Sequence, residues 1–327
     1  MTVANTETHP VTLPADLRIS TPRHHVVIFA GLLGLLLVAP FVLYPVFLMK
    51  VLCFALFASA LNLLLGYGGL LSFGHAAFFG SASYVAAHAA KVWGLTPELA
   101  ILLGTGAGAV LGLGIGALAI RRQGIYFAMV TLAFAQMVFF FALQVPFTGG
   151  EDGIQAVPRG KLFGLVDLSN DLTLYFVVLL IVFGGLLLIY RIVHSPFGQV
   201  LKAIRDNEPR SVSLGYKVNR YKLAVFVMSA TLAGLAGATK AIVFQLASLT
   251  DVYWTMSGEV VLMTLIGGMG TIFGPLVGAA VIVTMQNYFA GFGAWVTILQ
   301  GIVFVVTVLL FREGIIGVIA RWTKKAL

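Results

Sequence analysis

The chain alternates between long apolar segments and short polar connections from residue 26 to residue 312. A helix needs about 20 apolar residues to cross the hydrocarbon core of a bilayer, and ten segments approach that length. The pattern predicts an all-α polytopic membrane protein with about ten transmembrane or half-membrane helices in one domain. The predicted segments are 26–48, 51–71, 73–90, 97–120, 125–146, 173–193, 222–246, 258–270, 273–290 and 295–312.

Composition also indicates lipid as the solvent of this chain. Hydrophobic residues make up 60% of the 327 residues and charged residues 10%, whereas soluble domains carry about 25% charge. The net charge of +8 does not indicate nucleic acid, because the basic residues lie in the connections between apolar segments. We therefore expect contact with membrane lipid and no nucleic-acid partner.

The basic residues predict the orientation of the chain. With ten crossings and the N-terminus inside, fifteen of the twenty Lys and Arg residues fall on the cytoplasmic side, in agreement with the positive-inside rule. Merging 258–270 and 273–290 into one helix would place the basic C-terminus outside. We thus expect a multi-pass protein with both termini cytoplasmic. It would have a tail at 1–25, a membrane domain at 26–312 and a basic tail at 313–327.

Charge accumulates in one stretch, 194–222, which reads HSPFGQVLKAIRDNEPRSVSLGYKVNRYK. Ser195 suits the N-cap and Pro196 the first turn of a helix, and Pro209 ends the pattern. We interpret the stretch as a short amphipathic helix that docks a soluble partner through its apolar face. That face repeats at i, i+3, i+4 and i+7: Phe197, Val200, Leu201 and Ile204.

Glycine is patterned in two ways. Glycines at 104, 108, 112 and 116 recur every fourth residue, a spacing that lets helices pack closely in lipid; direct contact with a substrate is the alternative. Two further clusters, 66–74 and 267–275, predict interrupted helices, and their places in the two halves of the chain indicate an internal two-fold repeat. Tight turns at the cytoplasmic interface would give the same clusters.

The sequence motifs of enzymes are absent. No G-x-x-x-x-G-K-[ST] motif occurs, so ATP hydrolysis would belong to other subunits, and no metal-binding or nucleophile signature occurs. We therefore expect a chain that is not an enzyme and binds no metal. The single cysteine, Cys53, excludes an intrachain disulfide.

Three ionisable residues inside apolar segments have alternative interpretations, because such groups are costly in the membrane and usually face the bundle interior. His75 is either a group of the translocation path or a structural histidine. Glu259 follows Ser257 and Gly258, where a carboxylate also suits the first turn of a helix. Lys240 is expected to extend its ammonium group toward the outer interface.

Five blocks, in the expected order over about residues 50–290, resemble the permeases of bacterial branched-chain amino acid ABC transporters. The form LKAIRDNE followed by SLGYKVNRYKL is similar to the second of the two paired permease types, and permeases for urea and short amides share nearly the same blocks. The blocks are NLLLGYGGLLSFGHAAFFGSASYVAA, RRQGIYFAMVTLAFAQ, TGGEDGI, the stretch 194–222 continuing into LAVFVMSATLAGLAGA, and GEVVLMTLIGGMGTIFGPLVGA.

The resemblance implies a heterodimer of two related permeases in the bacterial inner membrane. Two cytoplasmic ATPase subunits, which carry ATP and Mg, would dock beneath it, and a periplasmic substrate-binding protein would deliver the substrate. This chain would bind no cofactor itself. From the resemblance and the helical pattern together, the expected ATPase-coupling residues are Phe197, Leu201, Lys202, Ala203, Ile204, Arg205, Asp206, Glu208 and Gly215.

We therefore expect the permease subunit of an importer that moves leucine, isoleucine or valine into the cytoplasm by alternating access, powered by separate ATPases. The alternatives are a urea or short-amide importer and an ion-coupled secondary transporter, which would need a buried ionisable relay. The residues expected along the translocation path are Asn62, His75, Tyr126, Thr131, Glu259, Gly267 and Gly268.

Overall fold

A computed structural model describes residues 23–293, 295–310 and 314–323. Most of the predicted tail 1–25 lies outside these ranges, whereas most of the predicted tail 313–327 lies within them and forms a helix. Within these ranges the chain forms thirteen α-helices and four strands of two residues each. The helices are α1 (Arg23–Val38), α2 (Pro45–Asn62), α3 (His75–Lys91), α4 (Pro97–Ala119), α5 (Ile125–Gln144), α6 (Asp171–Val193), α7 (Pro196–Asp206), α8 (Glu208–Ser213), α9 (Val218–Phe244), α10 (Trp254–Gly267), α11 (Gly274–Tyr288), α12 (Trp295–Leu310) and α13 (Gly314–Thr323). The strands are β1 (Ile154–Gln155), β2 (Lys161–Leu162), β3 (Val166–Asp167) and β4 (Leu246–Ala247).

Ten of the helices lie at the ten predicted segments, although their ends differ. Five of them, α2 with its extension to Tyr67, α4, α5, α6 and α9, are long and apolar enough to cross a membrane. The other five, α1, α3, α10, α11 and α12, have 14 to 17 residues. The segments 258–270 and 273–290 form two separate helices, α10 and α11. The prediction of an all-α polytopic membrane protein is confirmed.

The boundary between the first two segments was predicted wrongly. α1 ends at Val38 and α2 begins at Pro45, so the connection lies before the predicted 49–50. Two prolines explain the difference. Pro40 and Pro45 lack the N–H that a helix interior requires, and a proline holds the preceding residue in extended backbone, as Tyr44 is at φ −60° and ψ 121°.

The bundle has two ends, which the 27 residues of α9 separate by about 40 Å. We call the end that carries α7 and α8 the α7 end. At the opposite end, β1 pairs antiparallel with β4, with Ile154 opposite Ala247, and β2 pairs with β3, with Lys161 opposite Asp167. We call this the β end. The connection 147–172 forms turns and small sheets rather than a domain.

The spaced glycines of α4 pack against α9 near the centre of the bundle. A Cβ atom on Gly108 would lie 3.0 Å from the Cα of Gly234, and one on Gly104 would lie 2.8 Å from the Cβ of Ala238. Gly106, off the spaced stripe, faces open space. The packing interpretation of the stripe is therefore confirmed, and close helix approach explains why these positions are glycine.

Candidate functional site

α7 lies across one end of the bundle, with its apolar face turned toward the membrane helices. As predicted, Ser195 is the N-cap and its Oγ accepts a hydrogen bond from the N–H of Gly198 at 3.3 Å, while Pro196 lies in the first turn. Leu201 and Ile204 are 0% and 2% exposed. The expectation that this face meets a partner is therefore wrong, because the chain buries it in its own packing.

The two ends of α7 are also fixed within the chain. The ring of Phe197 stacks on Tyr221 of α9, with 5.5 Å between ring centroids. After Asp206, the side chain of Asn207 accepts a hydrogen bond from the N–H of Arg210 at 3.0 Å and so caps α8. Pro209 lies in the first turn of α8. It therefore helps to begin a second helix rather than end the first.

Arg205 ties α7 to the first glycine-rich cluster. Its Nη1 donates a hydrogen bond to the carbonyl oxygen of Gly66 at 2.6 Å, and a Cβ atom on Gly69 would lie 2.7 Å from its Cγ. Its Nε and Nη2 donate to Asp206 at 3.0 and 2.9 Å, but such exposed pairs contribute little. The charge-assisted bond to the carbonyl is thus the contact that positions α7.

Lys202 and Ala203 occupy different surroundings on α7. The Nζ of Lys202 lies 5.6 Å from the ring centroid of Tyr67, within cation–π range. Burial, followed by the charge of Arg205, lowers the pKa of Lys202, and Asp206 acts in the opposite sense. Ala203 and Asp206 are exposed. Arg205 and Gly215 are exposed as well, so these four are the expected coupling residues that a partner can reach.

Glu208 and Gly215 act on the position of α8. One carboxylate oxygen of Glu208 accepts from the Nζ of the buried Lys222 on α9 at 2.8 Å, and the other accepts from Gln123 in the α4–α5 connection at 3.1 Å. Glu208 therefore holds α8 to α9 and to the α4–α5 connection within the chain. Gly215 has φ +85° and open space around its Cβ position, so the backbone conformation explains the glycine.

Exposed apolar side chains beside α8 were missed by the sequence reasoning. Val212 and Leu214 are 56% and 68% exposed, and Tyr216 is also exposed. Exposed apolar groups outside the membrane helices suit contact with a protein or with the membrane surface. In the sequence, these residues stand out only as apolar residues within 194–222, the most charged stretch of the chain. They do not recur with the helical period, whereas the apolar residues of α7 do.

The two glycine-rich clusters are turns at the α7 end, and they contact each other through Asn62. Its Nδ2 donates to the carbonyl oxygen of Thr271 at 2.8 Å, and its Oδ1 accepts from the N–H of Gly270 at 2.9 Å. α2 ends there in a π-helical turn, Leu63–Tyr67. Arg205 binds the first turn, and Asn62 joins that turn to the second. A movement of α7 therefore displaces both turns.

His75 and Thr131 are buried near the first turn. The Nε2 of His75 lies 2.8 Å from the Oγ of Ser229 on α9, and its ring has edge contacts with Phe78 and Phe226. The Oγ1 of Thr131 accepts a hydrogen bond from the backbone N–H of Phe73 at 3.2 Å. These surroundings favour the structural interpretation of His75, and they make Thr131 a tie between α5 and the turn.

The remaining glycines and the tyrosine of the predicted path lie in different places. A Cβ atom on Gly267 would collide with the carbonyl oxygen of Gly274, and one on Gly314 would collide with Gly268. Gly267 and Gly268 thus allow α10, α11 and α13 to meet closely. Tyr126 is exposed on the bundle surface at the start of α5, so these three residues do not come together in one site.

Glu259 lines a cavity of about 330 Å³ at the β end, between α2, α9, α10 and α11. Its Oε2 accepts from the Nε2 of Gln286 at 2.9 Å. In the same wall, the Nζ of Lys240 donates to both carboxylate oxygens of Asp251 at 2.8 and 2.6 Å, and Lys50 completes the charged lining. Lys240 is buried in this ion pair, so the expectation that it extends to the interface was wrong.

A second cavity, of about 390 Å³, lies between α3, α4 and α5. Its wall is almost wholly apolar and includes Val85, Met137 and Phe141. A charged or polar solute would lose its hydration there without gaining a partner. The cavity at the β end is therefore the better candidate for contact with such a solute.

The chain is a bundle of membrane helices with two hydrogen-bonded glycine-rich turns at one end and a charged cavity at the other. This is the architecture of a transport permease. Residues 43–310 match the model of one family, described as branched-chain amino acid transport system, permease component. The chain belongs to this family of permeases.

The relatives of the chain transport more than one kind of solute. It is 29% identical over 283 residues to the high-affinity branched-chain amino acid transport permease LivM of Salmonella typhimurium, and equally to LivM of Escherichia coli. These alignments cover 78% of this chain but span only 66% of each relative. The ribose import permease RbsC of Bacillus subtilis is 29% identical over 238 residues, 68% of this chain and 70% of that protein. No solved structure gives a significant match.

Proposed function

We propose that the chain is the membrane-spanning permease subunit of an ATP-binding cassette importer that carries leucine, isoleucine or valine into the cytoplasm. The family match over 43–310 supports the transport role. The hydrogen bond from Arg205 to Gly66 carries the coupling argument, because it joins α7 to the first glycine-rich turn, which Asn62 joins to the second. The sequence lacks a nucleotide-binding motif, so the energy comes from separate ATPase subunits.

In this proposal the α7 end faces the cytoplasm and the β end faces the periplasm. The concentration of basic residues in 194–222 supports that orientation. Two ATPase subunits, with their ATP and Mg, dock on α7 and α8. A second permease chain completes the path, and a periplasmic binding protein delivers the amino acid at the β end.

Transport follows from the bonds that make α7 and α8 one unit with the bundle. Closure of the ATPases on ATP displaces α7 and α8. Glu208 passes the displacement to α9 through Lys222, and Arg205 passes it to the two turns through Gly66. The helices that end at these turns then re-pack, and the path opens alternately to each side.

Replacing Leu214 by aspartate tests the docking surface. We expect the variant to insert normally but to lose co-purification of the ATPase subunits at least about tenfold, the effect of removing one well-packed interface residue. Leu165→Asp is the matched control, because Leu165 is also exposed but lies at the β end. Unchanged co-purification of Leu214→Asp would place the ATPase elsewhere.

Reconstitution tests the transport function. The chain is assembled in liposomes with the second permease, the ATPases and the binding protein of the same source, and uptake of labelled leucine is measured with and without ATP. We expect uptake only with ATP and the complete assembly. Uptake by this chain alone on an ion gradient would identify a secondary transporter, and uptake of ribose or urea in place of leucine would correct the substrate.

A further inference from the structure

We propose that the cavity at the β end receives the zwitterionic backbone of an amino acid, with Lys50 binding the carboxylate and Glu259 binding the ammonium group. This inference rests on the proposed function, since it names the substrate chemistry that the permease itself recognises. It assigns to this subunit a binding step in addition to that of the soluble binding protein.

Two residues of opposite charge face the cavity and act on each other electrostatically without forming a salt bridge. Lys50, on α2, and Glu259, on α10, both line it. Neither forms a salt bridge within the described ranges. Gln286 occupies one carboxylate oxygen of Glu259, and the other has no donor among the described residues. The cavity therefore offers one cation and one anion to a ligand.

The other two charges in the wall satisfy each other. The Nζ of Lys240 lies 2.6 and 2.8 Å from the two carboxylate oxygens of Asp251, and both residues are buried. Asp251 also accepts from the backbone N–H of Ser248 at 3.3 Å. This pair is a fixed part of the wall, so it does not compete for the ligand.

The charge pattern selects among classes of solute. A simple cation or anion would pair with only one of Lys50 and Glu259, and a neutral sugar or amide could hydrogen-bond both residues but neutralise neither charge. Partly desolvated charges left without partners are costly. An amino acid carries an ammonium group and a carboxylate on one carbon atom, so it alone among these solutes neutralises both charges.

The rest of the lining suits an aliphatic side chain. Phe54, Phe244, Leu246 and Met256 contribute apolar surface to the same cavity. Its volume of about 330 Å³ falls within the range of about 300–1,000 Å³ that small-molecule sites occupy. Charged groups beside an apolar wall match leucine, isoleucine or valine better than a polar amino acid.

Thiol labelling of the purified full-length chain in lipid nanodiscs tests the cavity without any partner. Thr250 is exposed and lines the cavity, and the native Cys53 is buried, so Thr250→Cys supplies the accessible thiol. We expect excess L-leucine to slow labelling by a charged thiol reagent. Leucinamide lacks the carboxylate, 4-methylpentanoate lacks the ammonium group, and ribose lacks both, so none of the three should protect.

The same labelling with Lys50→Met or Glu259→Gln added should show at least about tenfold weaker protection by leucine, the effect of losing one hydrogen bond to a charged group. Glu151→Cys, in the exposed connection at the β end, is the control thiol and should label equally with and without leucine. Equal protection by leucine and ribose, or protection that survives both substitutions, would overturn the inference.

Transport separates this inference from the proposed function. In the assembled importer, Lys50→Met and Glu259→Gln should each lower leucine uptake about tenfold or more while the ATPases still co-purify. Lys91→Met, which removes an exposed lysine that binds only a backbone carbonyl, should leave uptake unchanged. If the unaltered importer takes up leucine and both cavity variants match it, the cavity assignment is wrong and the function stands. If it takes up no amino acid, the function is wrong, and the labelling result decides the cavity.

Discussion

Replacing Lys240 by methionine will destabilise the chain by about 3–5 kcal/mol, the cost of leaving one partner of a buried ion pair without the other. The carboxylate of Asp251 receives two hydrogen bonds from Lys240 and is almost fully buried. Methionine fills a similar volume but cannot donate. The free energy of unfolding, measured by denaturant titration in mixed micelles, should fall by that amount.

Removing both charges together separates the ion pair from packing. The double variant Lys240→Met with Asp251→Leu should recover most of the lost stability, because no buried charge remains. Lys91→Met serves as the surface control and should change the free energy of unfolding by less than about 0.5 kcal/mol. A double variant as unstable as Lys240→Met would show that the packing of the lysine stem, not the charge of Asp251, sets the cost.

Replacing Asn62 by alanine will cost about 2–5 kcal/mol, because it leaves a backbone carbonyl and a backbone N–H of the second turn without their partners. These are the groups of Thr271 and Gly270. The loss should be local to the α7 end, so protease cleavage in 268–273 should accelerate. Leucine uptake by the assembled importer should fall with it, since the two turns no longer move together.

Asn287→Ala is the matched control for this prediction. Asn287 is exposed near the end of α11, so its loss should change neither the unfolding free energy nor the protease pattern. Asn62→Asp separates the two hydrogen bonds of Asn62, because it keeps the acceptor for Gly270 but loses the donor to Thr271. It also introduces a buried charge. Wild-type stability in Asn62→Ala would show that the turns are held by packing alone.

Much of the fold could be predicted because its rules are local. The thickness of the hydrocarbon core sets the length of each apolar segment, and ten of the thirteen helices lie at the ten segments predicted in this way. Local rules also gave the cap at Ser195 and the start of α7. They failed between α1 and α2, where the backbone limits of Pro40 and Pro45 decide the boundary rather than hydropathy, and at Pro209, which begins α8.

The direction of the apolar face of α7 could not be predicted. A helix that packs on its own bundle and a helix that docks a partner show the same i, i+3, i+4 period. Leu201 and Ile204 therefore identified the helix correctly but the surface wrongly. The exposed Leu214 lies in a turn, where no period distinguishes it, and only the folded chain shows that it is uncovered.

Long-range pairs were equally out of reach. Asn62 and Gly270 lie 208 positions apart in the chain, and neither neighbourhood indicates the other. The charged cavity is formed in the same way, since Lys50 and Glu259 come from helices in opposite halves of the sequence. A single lysine near a helix end has many explanations. Its meaning here depends on the carboxylate that faces it across the cavity.

The close contact between Gly108 and Gly234 makes α9 a lever with unequal arms. Lys222, bound to Glu208, lies about 18 Å along the helix from this fulcrum, and Lys240 lies about 9 Å beyond it. A rigid tilt of α9 about the fulcrum moves the cavity wall in the opposite direction to the α7 end, and about half as far. In the proposed importer, a displacement of Lys222 by the ATPase subunits would therefore reach the charged cavity reversed in direction and reduced by about half.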